Sequence, residues 1–270
     1  MPFAKPFRVE PGKRVDLSKH DPRDTGGFAD KEATKADIVA DAQAIDALQT
    51  RLYAEGKQAL LVVLQGMDCS GKDGTARSVF NSCGPIGVTV TSFKAPSAEE
   101  LSHDYLWRIH QKCPPRGTIG LFNRSHYEDV LAAKVRKLAA ADVIEKRYEQ
   151  INNLEKHLSE NGTRVLKFML NISKDEQKKR LEERVADETK RWKFNPSDLD
   201  DRALWNDYAK AYEEALSRCS TSHAPWHIIP ADRNWVRNAI IGRIVRETLE
   251  DMKPQLPKIQ GWDPKTIKIV

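Results

Sequence analysis

Long apolar runs are missing from this 270-residue chain: none approaches the ~20 residues that a membrane-spanning helix needs. The first residues, MPFAKPFRVEPGKRV, also lack the apolar centre of a signal peptide. Neither a membrane protein nor an exported one is expected. Cysteine is scarce, and Cys69, Cys83, Cys113 and Cys219 form no CxxC pair. That argues against a zinc site or a redox dithiol, and the expected compartment is the reducing cytoplasm. The seven histidines show no HxxxH spacing, and no internal repeat or low-complexity linker is visible. Charge is not concentrated in one sign. The net charge of +5 suits an anionic ligand without pointing to nucleic acid, and no stacking motif or zinc knuckle adds to that case.

What is present is the composition of a globular chain, long enough for one large α/β unit. Residues 1–30 read as an extended arm packed on a domain spanning 31–270. Helical spacing runs from Lys31 to Glu55. Apolar runs at 60–64, 88–93, 118–122, 164–171 and 226–229 read as strands. The segments 98–112, 126–138, 142–159, 173–190, 199–219 and 235–252 read as helices, followed by a Pro-containing tail. Buried strands separated by helices imply a three-layer α/β fold with a five-stranded, mainly parallel sheet and a helical lid at about 173–191.

The most informative stretch is LLVVLQGMDCSGKDGT, residues 60–75. An apolar run stops at Gly66, and the next residues spell GxxxxGK through Gly71 and Lys72. This is the pattern of a loop that cradles phosphate between a buried strand and a helix. The glycines let backbone N–H groups approach phosphate oxygens, and Lys72 supplies a mobile positive charge. A plain glycine-rich turn is the alternative, and the flanking strand and helix argue against it. One position departs from the nucleotide-hydrolase pattern: Asp73 stands where a Ser or Thr hydroxyl would hold Mg2+.

A second cluster, LFNRSHYED at 121–129, falls at the C-terminal end of the third strand, the edge where open α/β sheets bind ligands. The Asp that would position Mg2+ there is replaced by Asn123. The carboxylates left for a metal are Asp68, Asp73, Glu128 and Asp129. Asp68 is favoured because a loop carboxylate faces the same oxygens as Lys72, while Asp73 could equally serve as a helix N-terminal acid. Arg124 is placed to clamp an acceptor phosphate, with a surface ion pair as its alternative.

The third cluster is the charged segment SKDEQKKRLEERVADETKRWKF. Ser173 and Glu176 fit a capping box. Arg180, Arg184 and Arg191 recur at near-helical spacing and would face phosphates from a closing lid. A merely solvated helix is the alternative, and for Lys178 and Lys179 the better one. Lys94 would reach the phosphate cleft. Asp104, Tyr105, Trp107, Arg108 and His110 could line an acceptor pocket, with Trp107 stacking on a base or packing in the core.

Taken together, GMDCSGKDG, TSFKAPSAEELSHDYLWRIHQ, GLFNRSHYEDVL, the lid ending in WKFNPSD, and APWHIIPADRNW resemble the family-2 polyphosphate kinases over roughly Val15 to Met252. The Asp after the loop lysine belongs to that family's pattern. The NRSHYED form is similar to the subgroup that phosphorylates both nucleoside mono- and diphosphates. The resemblance implies a thymidylate-kinase-like P-loop fold whose loop holds inorganic polyphosphate instead of ATP. It implies Mg2+, with Mn2+ as a substitute, and a homo-oligomer. Asp68, Lys72, Asn123 and Arg124 would form the reaction centre, with Asp68 next to the metal. Gly66, Ser70, Gly71, Asp73, Gly74, Lys94, Glu128, Arg180 and Arg184 would bind the substrates. The competing readings are an ATP-dependent nucleotide or small-molecule kinase and a phosphate-binding module without catalysis.

Overall fold

The computed structural model describes residues 2–258, 260–261 and 266. Its five strands are β1 (Ala59–Gln65), β2 (Val88–Ser92), β3 (Ile119–Asn123), β4 (Thr163–Asn171) and β5 (Trp226–Pro230), all parallel, in the order β2-β3-β1-β4-β5. β1 is central and wholly buried, which is why its sequence, ALLVVLQ, does not alternate. The chain passes to opposite sides of β1 to build the rest of the sheet. The loop after β1 therefore opens at a topological switch point, where such sheets bind ligands.

The helices are α1 (Lys31–Glu55), α2 (Lys72–Phe80), α3 (Ala98–Leu101), α4 (Trp107–His110), α5 (Ala132–Val135), α6 (Ala141–Glu160), α7 (Lys174–Ala186), α8 (Ser197–Ala203), α9 (Trp205–Cys219) and α10 (Asn234–Met252). α1, α2 and α10 pack on one face of the sheet, and α5, α6 and α9 group on the other. Asp30 caps α1 by accepting from Ala33 N, and Gly56, at φ 63°, ends it. No helix of the described residues is long and apolar enough to cross a membrane.

Four of the expected helices are shorter or broken. The stretch 98–112 divides into α3 and α4, because Asp104 Oδ1 accepts from Leu106 N and Ser102 Oγ donates to Glu99 O. These local bonds compete with the helical ladder. The stretch 126–138 is a 3-10 turn (His126–Asp129) followed by α5. The lid helix stops at Ala186, where Asp187 turns its carboxylate to Thr189 N and Oγ1. The stretch 199–219 begins earlier, at Ser197, and breaks at Leu204.

The two sheet edges differ. Along β5 lies the N-terminal segment: Val9 N donates to Trp226 O (2.8 Å), Arg8 bridges His227, and Phe7, Val9 and Val15 are buried. Among the described residues nothing covers β2 in this way, and Val90 is 54% exposed.

Candidate active site

The loop at 66–71 leaves β1 with Gly66 at φ 154°; a Cβ there would lie 2.7 Å from Ser70 Oγ and 2.8 Å from Leu170 O, so only glycine fits. Cys69 (φ 64°) and Gly71 (φ 99°) are also left-handed, and α2 begins at Lys72. A left-handed Cys costs backbone energy, a sign of a conformation imposed by its surroundings. Lys72 is only 8% exposed, yet charged groups act on it. Its Nζ donates to Gly66 O (2.8 Å) and Met67 O (3.2 Å), closing the ring of the loop. Burial and the charge of Arg124 lower its pKa, against the pull of Asp68, Glu128 and Asp73.

Arg124 follows β3 in a left-handed conformation (φ 62°) and binds Asp68 Oδ1 at 2.5 Å, with Glu128 at 3.5 Å. Burial works to raise the pKa of Asp68, but Lys72, Arg124 and Arg184 together outweigh it and hold the carboxyl below its ordinary value.

The two departures from the nucleotide-hydrolase pattern meet. Asn123 Nδ2 donates to Asp73 Oδ1 at 2.6 Å. The carboxylate absent from the end of β3 is present at the start of α2, so the pair has traded a strand-end acid for a helix-start one. Asp73 also receives Lys193 Nζ at 3.2 Å. Its pKa is lowered against burial, chiefly by hydrogen bonds from Lys193 and Asn123.

From the lid, Gln177 Nε2 donates to Asp68 O, and Arg180 donates to Cys69 O, Ala231 O and Asp232 O. Arg180 thus ties α7 to the loop and to the end of β5. Arg184 pairs with Asp198 (3.3 Å) and donates to Lys193 O. Arg191 does not join this face. It lies beyond the end of α7, where it donates to Val185 O and Ala186 O and pairs with Glu188. Lys178 and Lys179 pair with Glu182 and Glu183 in solvent.

Lys94 is exposed just past β2, next to the β3 end through Phe93 N and Asn123 O (3.0 Å). The segment 96–108 borders a cavity of about 670 Å³ with Tyr105, Arg108, Asp129 and Arg147 in its wall, and His110 lies outside that wall. Burial raises the pKa of Asp129, against the charge of Arg147 at 3.5 Å. Trp107 takes no part in that wall; it stacks on His103 at 4.0 Å.

Two groups escaped sequence reasoning. Lys167, inside β4, is fully buried and donates to Tyr127 OH (2.7 Å), Glu155 Oε2 (2.5 Å) and Cys219 O (2.7 Å), while His126 Nε2 lies 3.2 Å from Glu155 Oε1. Burial opposes the charge of Glu155, but Lys167 and His126 keep its pKa low. This network anchors the residues that follow Arg124. A lone lysine inside the strand RVLKFMLN was the available signal. The other group is Arg237 of α10, buried under the loop and donating to Ser70 O at 3.0 Å; nothing in the sequence marks it.

Residues 28–257 match the family described as Polyphosphate kinase 2. An AMP/ADP-polyphosphate phosphotransferase of Meiothermus ruber is 48% identical, over 97% of this chain and 99% of that protein. An ADP-polyphosphate phosphotransferase of Rhodopseudomonas palustris is 41% identical, over 94% and 92%. Among solved structures, Polyphosphate Kinase 2 from Arthrobacter aurescens TC1 superposes with a TM-score of 0.93 at 41% identity, over 97% of this chain and 94% of the other.

Proposed function

The chain belongs to the polyphosphate kinase 2 family, and from that premise we propose that it moves the terminal phosphoryl group of inorganic polyphosphate to AMP and ADP, and to related nucleoside mono- and diphosphates. The products are ADP and ATP. The observation that carries the reading is the charge at the mouth of the glycine loop: Arg124 binds Asp68 at 2.5 Å, and the charges of Lys72 and Arg184 act on the same carboxylate. Such a cup suits a chain of phosphates, which offers oxygens and charge.

The nucleophile is a phosphate oxygen of the acceptor, ionised at pH 7, so no strong base is needed. Catalysis is alignment plus neutralisation of charge. Lys72 uses two of its three N–H donors on Gly66 O and Met67 O and keeps the third for the donor phosphate. Arg124 orients the acceptor phosphate, and Asn123 with Asp73 holds the start of α2 beside it. Arg184 approaches from the lid, whose closure excludes water and suppresses hydrolysis. Lys94 and Glu128 border the substrates.

Among the described residues no group of three or more His, Cys, Asp or Glu side chains could hold a metal unaided. The available donors fit Mg2+, which binds through one or two carboxylates plus substrate phosphates; Asp68 is the residue to hold it, and Mn2+ could replace it. When bound there, Mg2+ would supply neutralisation of phosphate charge. A homo-oligomer and a cytoplasmic location belong to the same proposal, and the uncovered β2 edge supports the first.

The test supplies AMP or ADP with long-chain polyphosphate and Mg2+, without ATP, and separates the products by chromatography. ADP and ATP should accumulate. Turnover only when ATP is the donor would instead identify an ATP-dependent kinase.

A further inference from the structure

We propose that Arg237 is a positioning residue for the phosphate donor: from beneath the loop it fixes the orientation of the Ser70–Gly71 peptide and lends an unneutralised positive charge to the cup. The inference rests on the donor reading above and adds a residue to it.

Arg237 lies in the first turn of α10 and is 2% exposed. Arginine at that depth is normally paired with a carboxylate. Among the described residues this one is not: its partners are Ser70 O (3.0 Å), Asn234 Oδ1 (2.7 Å) and Asn238 Oδ1 (2.9 Å), all neutral oxygens. The charge that acts on it is a second cation, Arg180, which donates to the neighbouring carbonyl, Cys69 O. Burial first, and Arg180 second, draw the Arg237 pKa down to about 9. Two arginines therefore hold successive carbonyls of the loop, Arg180 from the lid at Cys69 O and Arg237 from beneath at Ser70 O.

The geometry has a consequence for the amides. A trans peptide points its N–H away from its C=O. With Ser70 O turned down to Arg237, Gly71 N–H faces the opposite side, into the loop. The glycines of the motif take on a second purpose as well. A Cβ on Gly71 would lie 1.8 Å from Arg237 Nη1, and one on Gly74 would lie 3.3 Å from Nη2. Their missing side chains are the space the guanidinium occupies. A buried cation without a counter-charge is costly, and an anion in the cup offsets that cost. Donor binding and the burial of Arg237 are thereby linked.

The test compares wild type, Arg237→Met and Arg237→Lys by steady-state kinetics and by thermal melting with and without tripolyphosphate. Arg237→Met should raise the polyphosphate KM about tenfold, keep the ADP KM within about twofold, and shrink the melting-temperature rise that tripolyphosphate gives wild type. Arg237→Lys should recover part of both. A purely structural role would lower the melting temperature but leave the tripolyphosphate increment and the donor KM intact, and that result overturns the proposal. So does an equal loss for donor and nucleotide. Should Arg237→Met not fold, Asn238→Ala, which frees the guanidinium from two of its bonds, is expected to move the donor KM the same way by a smaller factor; an unchanged donor KM in it and in Arg237→Lys overturns the proposal. If wild type gains no stability from tripolyphosphate, the donor reading fails along with this one. A normal wild-type gain retained in the variants removes only this one.

Discussion

The cup and the lid face each other across the same site, yet they are built by opposite means. The cup stands on β1 and β3, whose residues are buried throughout, and its charged groups are held by buried and half-buried hydrogen bonds. The lid, from α7 to α8, buries only Gln177 and Leu181 along α7 and carries ion pairs one helical turn apart in solvent; Trp192 beyond it is 77% exposed. Exposed pairs of that kind contribute about 0–1 kcal/mol each. Three polar ties join the two regions: Gln177 to Asp68 O, Arg180 to Cys69 O, and Lys193 to Asp73. The difference teaches that the binding geometry is set before any ligand arrives, whereas closure rests on few bonds and can be reversed in each turnover.

The contrast can be broken first at the cup. Lys72→Ala should cut ATP formation by about 10³-fold while the protein still folds, since the two buried bonds that are lost join the side chain only to carbonyls of its own loop. Full turnover in that variant would remove the lysine from the reaction. The next effect concerns the exchanged pair. Asn123→Asp alone sets a second carboxylate against Asp73 and should lower turnover about 10-fold to 100-fold. Adding Asp73→Asn should restore a substantial part, which a double-mutant cycle on kcat measures. Two losses that simply add would mean that the contact is idle.

On the lid side the effects are smaller. Arg184→Ala should raise the donor KM about fivefold and leave the nucleotide KM nearly unchanged. Equal rises in both would deny the lid its part in donor use. Acid titration gives the finest division. The folded pKa of Asp68 lies below its ordinary 3.8, so the stability it adds is complete above that value and is lost as pH falls through the folded pKa. Asp198 on the lid has the opposite sign. Burial and the charge of Asp68 raise its pKa, so its share of stability grows as pH falls from that raised value toward 3.8. Asp68→Asn should therefore flatten the acid limb of a melting-temperature curve, and Asp198→Asn should steepen it.

How far the sequence was legible follows from how local each cause is. The strand and loop at 60–72 announce themselves because a buried central strand must be apolar on both faces and the loop needs glycines at fixed places. The meeting of Asp68, Lys72, Asn123 and Arg124 follows from where strand ends gather. The contact between Asp73 and Asn123 joins residues fifty positions apart; each oddity was visible singly, their compensation only in space. Helix breaks at Asp104 and Asp187 escaped because a side-chain bond to the backbone leaves the apolar pattern intact. Arg191 falls off the lid face because the charged pattern runs on past Ala186, where the helix itself stops. Arg237 gave no sign, since its partners are backbone and amide oxygens that any sequence supplies.

The most direct measurement is calorimetric titration of tripolyphosphate into the wild-type protein and into Lys72→Ala, with Mg2+ and no nucleotide. The account predicts saturable binding to wild type and its near-complete loss in the variant. Equal affinity for both proteins would contradict it, because the anion would then be held somewhere other than the loop that Lys72 closes.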